Sequence, residues 1–364
     1  MQNDILYKIA LTMMTGVGEV TAKKLLANFG SPEAVLNAGK IDLGKAIGNS
    51  VAKNIDKHKI IELAKKELEF VEKNDIKFLF YTDNDYPYKL KQCEDAPVAI
   101  YVKGTADLNN LKAISIVGTR SASNYGISLC KKLIEDIANK GYKPIIISGL
   151  AYGIDICAHT TAMANKLDTA AVMGTSLKQI YPAAHRSIAK QIEKQGALVT
   201  EYTTNSPIVP SNFVNRNRII AGLADVVIIV ESSKKGGALI TAYIANGYNR
   251  DVMAFPGRVG DQSSQGCNHL IKSNKAALIE SVEDLEYQMN WSIKPQKQQK
   301  LSFVDLTEPE QSIINLLKSR DSENIDTISK ETGIALPELA AFLLNMEFAG
   351  YIKLLPGHSY SLSI

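Results

Sequence analysis

An α/β protein is predicted: a doubly wound, largely parallel sheet between an all-helical N-terminal domain and a C-terminal winged-helix domain. Three patterns in the 364 residues point there. Short apolar runs alternate with helical stretches through the middle of the chain. Helical spacing alone runs from Ile5 to about Leu68, and three helical segments followed by a hairpin pattern close the sequence. Strands separated by helices suit a parallel sheet, because parallel neighbours must be joined by crossovers. A chain this long exceeds one ordinary core. Domains are expected at 1–68, 69–290 and 305–364, with a linker at 291–304.

In the first segment, apolar residues recur at three and four positions, as in Leu25, Leu26 and Phe29 or Ile60, Ile61, Ala64 and Leu68. Thr15-Gly16-Val17-Gly18 precedes a helix predicted over Glu19 to Phe29. This spacing suits either a helix-hairpin-helix turn that offers backbone N–H groups to phosphate, or a hairpin that only packs. Lys23 and Lys24 then serve as phosphate contacts or as a solvated face.

Residues 69–112 read as an extension with strands at Lys77–Tyr81 and Ala99–Lys103. Main strands are predicted at Ala113–Val117, Pro144–Ser148, Thr169–Met173, Ala197–Thr200, Val226–Val230 and Asp251–Phe255. Helices are predicted at Gly126–Lys140, Asp155–Ala164, Arg186–Gln195, Ile219–Ala224 and Leu239–Asn246. The polar run from Ser292 to Lys300 marks the linker. Beyond it, Thr307 is placed to cap a helix carrying Ile313, Ile314, Leu316 and Leu317. Helices at Ile325–Thr332 and Pro337–Ala349 and a hairpin from Ile352 to Leu362 complete the winged-helix outline.

Composition sets bounds on function. Apolar residues make up 45% and charged residues 22%, which is globular rather than disordered. Net charge is +3, which leaves room for a local basic patch. The four cysteines, Cys93, Cys130, Cys157 and Cys267, form no CxxC pair, so neither a disulfide framework nor a zinc site is expected. The opening residues lack a signal-peptide pattern, and no run approaches a membrane span. A cytoplasmic protein that does not enter membranes is the expectation.

The predicted strands are followed by glycines: Gly118, Gly149, Gly174 and the Lys234-Lys235-Gly236-Gly237 loop. In an open parallel sheet these turns share the carboxyl edge, where helix N-termini favour phosphates. A dinucleotide fingerprint is absent. The first turn reads Gly118-Thr119-Arg120-Ser121-Ala122 and lacks GxGxxG, and no Walker loop occurs. Arginines recur instead. Arg120 follows the first glycine, Arg186 follows Tyr181-Pro182, and Phe213-Val214-Asn215-Arg216-Asn217-Arg218 opens a helix. Guanidinium groups bind phosphates and stack on bases, and Phe213 offers another stacking face. Either both Arg216 and Arg218 join this site, or one of them pairs with a core carboxylate such as Asp225 or Glu201.

Taken together, a succession of motifs resembles the DNA-processing protein A family, also called DprA or Smf. It comprises Ile116–Arg120, Ser148–Asp155 with Ala158-His159, Tyr181-Pro182, Glu201-Tyr202, Phe213–Leu223, Leu239–Ala242, Pro256-Gly257 and Gly266–Ile271, over about residues 70–280. The resemblance implies an extended Rossmann fold, an N-terminal sterile-alpha-motif or helix-hairpin-helix unit, and a winged helix. It also implies a homodimer that binds single-stranded DNA during natural transformation, protects it and helps load the RecA recombinase. Arg120 would be a main phosphate contact. Phe213, Arg216 and Arg218 would line the same pocket, with backbone from Gly118 and Gly149. Thr119, Asn217, Lys235, Gly236 and Gly237 complete the expected DNA-binding set, and Arg186 stands where relatives often carry lysine. Lys235-Gly236-Gly237-Ala238 replaces a Ser-containing loop, and Pro210 replaces a basic residue.

An enzyme of the same fold superfamily is the alternative. Phosphoribohydrolases carry PGGxGTxxE, and Tyr243 stands at the glutamate position here. Asp155 and His159 lie four apart without a third ligand at suitable spacing, so a helix start beside a partly buried histidine is expected. Cys130 and Cys157 read as core, and Ser148 lacks the hydrolase elbow. No catalytic group, metal or cofactor is expected. The tail is rich in Asp and Glu, which suits protein contact better than duplex DNA.

Overall fold

A computed structural model describes residues 2–291, 306–320, 322–349, 351–355 and 359–362. The chain divides into two compact units, Met1–Ile293 and Lys294–Ile364. Residues 292–304 of the expected linker, and the tip of the expected C-terminal hairpin at 356–358, lie outside the described residues.

The first unit is built on a nine-stranded sheet. Its strands are β1 (Lys77–Phe80), β2 (Ala99–Gly104), β3 (Ala113–Val117), β4 (Ile145–Ser148), β5 (Thr169–Val172), β6 (Ala197–Thr200), β7 (Val226–Ile229), β8 (Asp251–Ala254) and β9 (Ala277–Leu278). They lie in the order β1-β2-β6-β5-β4-β3-β7-β8-β9. From β6 through β9 every neighbouring pair is parallel, while β1 and β2 add an antiparallel edge beside β6. The chain winds outward from β3 in one direction through β4, then returns and leaves in the other through β7. The crevice at the carboxyl ends of β3 and β7 is therefore the topological switch point.

Both faces of β3, β4, β5, β6 and β7 are buried, which is why these strands read as continuous apolar runs. Ala113 and Val117 pack in one layer with Ile220, Leu223 and Leu239, whereas Ile114 and Ile116 pack in the other with Cys130, Ile134 and Ala158. Six helices precede the sheet, and they share a core with it: Ile9, Leu25, Leu43 and Ala64 pack against Phe80, Val98 and Ala99. The boundary expected at residue 68 falls inside the helix Lys57–Lys73.

In the second unit, Thr307 and Glu310 form a reciprocal capping box at the start of Glu308–Ser319. That helix packs with Ile325–Thr332 and Leu336–Phe348 around Ile313, Leu317, Ile328, Leu339 and Leu343. Strands Ile352–Leu355 and Ser359–Leu362 pair antiparallel and complete a winged helix, with a third short strand at Glu323–Asn324. Among the described residues no helix is long and apolar enough to cross a membrane.

Candidate nucleic-acid interface

A cleft of about 670 Å³ opens at the switch point. Its floor is the turn Gly118-Thr119-Arg120 after β3. One wall is the start of the helix Gly237–Gly247, and the other is formed by Ile208 to Asn217, which include the short helix Pro210–Asn215. A niche of about 20 Å³ adjoins it, bordered by Arg120, Gly149, Gly174, Tyr181, Phe213 and Arg216. Of the expected binding residues, Gly118, Thr119, Arg120, Phe213, Arg216, Asn217, Gly236 and Gly237 line the cleft and Gly149 lines the niche. Arg186, Arg218 and Lys235 line neither.

The arginines divide sharply. Arg120 is exposed, and among the described residues no carboxylate pairs with it. Arg216 is 4% exposed, and its Nη1 donates to the carbonyls of Gly149 and Val172. Its Nε has no partner among the described residues. Burial lowers its pKa to about 10, which still leaves it cationic near neutrality. Arg216 thus ties the end of β5 to the turn after β4. Of the two alternatives for Arg218, pocket residue or partner of a core carboxylate, the geometry is that of the second: its Nη2 lies 2.5 Å from Glu201 Oε2 and 3.0 Å from Glu19 Oε1. Asp225, the other carboxylate considered, is paired with Lys89 at 2.7 Å. Lys235 is exposed beside Gly236, and Arg186 is exposed at the start of Arg186–Gln195.

At Gly118, Gly149 and Gly174 the missing Cβ makes room for protein, whereas a Cβ on Gly237 would meet open space. A Cβ on Gly149 would collide with the Arg216 guanidinium and the Asp155 carboxylate, and one on Gly174 would lie 2.8 Å from Phe213 Cδ1. A Cβ on Gly118 would lie 2.5 Å from Ile154 Cγ1. Gly153, at φ +76°, passes against the carbonyl of Thr119. The Thr119 amide is already donated to the carbonyl of Glu231 at 2.8 Å.

Glu231 explains why this edge lacks the usual nucleotide geometry. Its carboxylate accepts from Ser123 N at 2.8 Å and Ser123 Oγ at 2.7 Å, and it lies where a Cβ on Gly126 would stand. The first helix after β3, Asn124–Asn139, therefore begins on a protein carboxylate instead of a pyrophosphate.

Asp155 and His159 are both buried. Asp155 accepts from the Ala151 amide at 3.3 Å, and burial raises its pKa against the pull of Arg216. His159, expected to be partly buried, is fully so. Its Nδ1 lies 2.7 Å from Thr169 Oγ1, and burial pushes its pKa down to about 3. Among the described residues no cluster of His, Cys, Asp and Glu could hold a metal ion. The N-terminal glycine turn leads into Glu19, which reaches Arg218, so this helix start is packed on the sheet unit.

Sequence reasoning missed the apolar part of the cleft. Ile208, Val209, Val214 and Ile240 line it while remaining 38–45% exposed, and Tyr181 packs on Phe213 with ring centroids 5.1 Å apart. The run Ile208-Val209-Pro210 in a loop was the available signal, because apolar residues in a row are unusual where no element buries them.

Comparison with known proteins places this geometry. A family model described as DNA recombination-mediator protein A matches residues 77–290, and a DprA winged helix domain model matches residues 297–358. Protein Smf of Synechocystis sp. is 30% identical over 398 residues, covering 97% of this chain and 98% of its own. DNA processing protein DprA of Streptococcus pneumoniae is 38% identical over 203 residues, covering 56% and 71%. An X-ray structure of the pneumococcal protein superposes with a TM-score of 0.68 at 31% identity, covering 78% of this chain and 97% of that one. A structure concerned with the single-stranded DNA binding mode of DNA processing protein A from Helicobacter pylori gives 0.53 at 27% identity, covering 59% and 95%. The switch-point cleft, the sheet order and the winged helix thus come with a match over most of the chain, and the chain belongs to the DNA recombination-mediator protein A family.

Proposed function

We propose that the switch-point cleft binds single-stranded DNA and performs no chemistry on it. The observation that carries this reading is Arg120, an exposed guanidinium without a carboxylate partner among the described residues, in a cleft with an apolar wall that contains Phe213. A cation for phosphate beside aromatic and aliphatic surface for bases is the composition that single strands require. Lys234 and Lys235 on the adjacent loop add positive potential at the rim. The Helicobacter pylori relative, described by its single-stranded DNA binding mode, supports the assignment. Within the family reading, the protein acts in the cytoplasm during natural transformation, protects incoming strands and helps load RecA. Pairing of two copies would raise affinity for long strands by avidity.

The rival reading, a nucleotide-processing enzyme, meets two physical obstacles. Tyr243 occupies the position of the phosphoribohydrolase glutamate, and Glu231 fills the helix start where a pyrophosphate would bind.

Fluorescence anisotropy of a labelled oligothymidine tests the proposal, with unlabelled single strands and duplexes as competitors. Single strands should displace the probe at far lower concentration than duplex of equal length. Absence of oligothymidine binding, or equal competition by duplex, would overturn it.

A further inference from the structure

The cleft wall that carries Phe213 is held by two carboxylates that never enter the cleft. The wall runs from Glu201 to Arg218 and supplies Ile208, Val209, Phe213, Val214, Arg216 and Asn217 to the cleft. From Tyr202 to Val209 it has neither helix nor strand. Such a segment is positioned by its side-chain ties, not by a backbone ladder. Near its start, Glu67 from the helix Lys57–Lys73 accepts the Thr204 amide at 2.9 Å to Oε2 and 3.1 Å to Oε1, and accepts the Thr204 hydroxyl as well. Glu67 is 1% exposed, so its carboxylate and the Thr204 donors depend on one another for solvation. At the far end, Arg218 is held between Glu201 and Glu19, the first residue of the helix Glu19–Phe29. Two different N-terminal helices therefore grip the two ends of one cleft wall.

We propose that the N-terminal helices brace the base-contacting wall of the cleft, with Glu67 and Glu19 as positioning residues. The brace rests on the reading of the cleft as a single-strand site and gives the helical region a role in it. The phosphate side of the cleft lies elsewhere: Arg120 stands on the turn after β3, anchored through Thr119 to Glu231 and to the amide of Ile154. Loosening the brace therefore removes base contacts and leaves phosphate contacts in place.

Anisotropy with two labelled strands of equal length, an oligothymidine and an abasic deoxyribose-phosphate strand, separates the two sides. Wild type should prefer the oligothymidine by roughly tenfold, the worth of about one stacked base. Glu67→Ala should lose most of that preference while its affinity for the abasic strand stays near wild type. Glu67→Gln keeps an acceptor for the Thr204 amide and should restore the preference. A melting transition establishes that each variant is folded. If Glu67→Ala does not fold, Thr204→Val and Glu19→Ala take its place, since both positions are partly exposed. Full preference in folded variants would overturn the brace. A wild-type chain that binds both strands alike would overturn the base-contacting wall itself, and with it the reading on which the brace rests.

Discussion

Arg120 and Arg216 border the same cleft and do opposite things. Arg120 is exposed and without a carboxylate partner among the described residues, whereas Arg216 is buried with its guanidinium on two main-chain carbonyls. The contrast extends to their neighbours. Beyond Arg120 the cleft opens toward Gly236 and Gly237, whose loop carries the exposed Lys234 and Lys235. Beside Arg216 lie Asp155 and His159, both buried. An outer, exposed layer, which meets the strand in the proposed reading, thus rests on an inner polar layer that sets its shape. Residue type alone does not assign a side chain to either layer; its burial and the partners it already holds do.

The largest effect should follow from breaking the inner layer. Arg216→Ala leaves the Gly149 and Val172 carbonyls without their donor and Asp155 without its neighbouring cation. A loss of about 3 kcal/mol or more of folding stability is expected in urea denaturation. Arg216→Lys should not recover it, since a single ammonium lacks the planar fork that reaches both carbonyls. A folded Arg216→Ala with wild-type stability but lost DNA binding would move Arg216 to the outer layer.

A smaller effect concerns pH. The Thr169 hydroxyl donates to the Ile146 carbonyl, so His159 Nδ1 carries the hydrogen between them, and Nε2 has no partner among the described residues. Protonating Nε2 would bury an uncompensated charge, which is why the pKa falls to about 3 from an ordinary 6.5. Between those values the unfolded chain binds the proton and the folded chain does not. Stability is therefore flat above the ordinary value and declines as pH falls below it. This group alone should remove about 2 kcal/mol at pH 5. Denaturation at pH 7.5 and pH 5 reads the difference, and His159→Asn should flatten it. An unchanged acid limb in that variant would show that the inner layer tolerates charge at this position.

The fold was largely legible because parallel strands announce themselves as apolar runs. Ala113–Val117, Ala197–Thr200 and the helix Arg186–Gln195 were read to the residue. The strand Ala277–Leu278 was missed because two residues carry no periodicity, and the helix Pro210–Asn215 because its length barely exceeds one turn. In the cleft, Arg120 was legible from the glycine turn beside it. Ile208, Val214 and Ile240 were not, since they meet only after the two walls fold together. Arg216 and Arg218 belong to one sequence motif, yet residues two apart on a helix point to nearly opposite sides. That spacing already implied that only one of them could face the pocket.

The separation of layers is tested most directly by titrating labelled oligothymidine with wild type and Arg120→Ala over a range of salt concentrations, with the melting temperature of each protein measured alongside. The two proteins should melt together. The variant should bind all single-strand sequences more weakly by a similar factor, with the dependence of log affinity on log salt shallower by about one. Equal affinity and equal salt dependence in the two proteins would contradict the account.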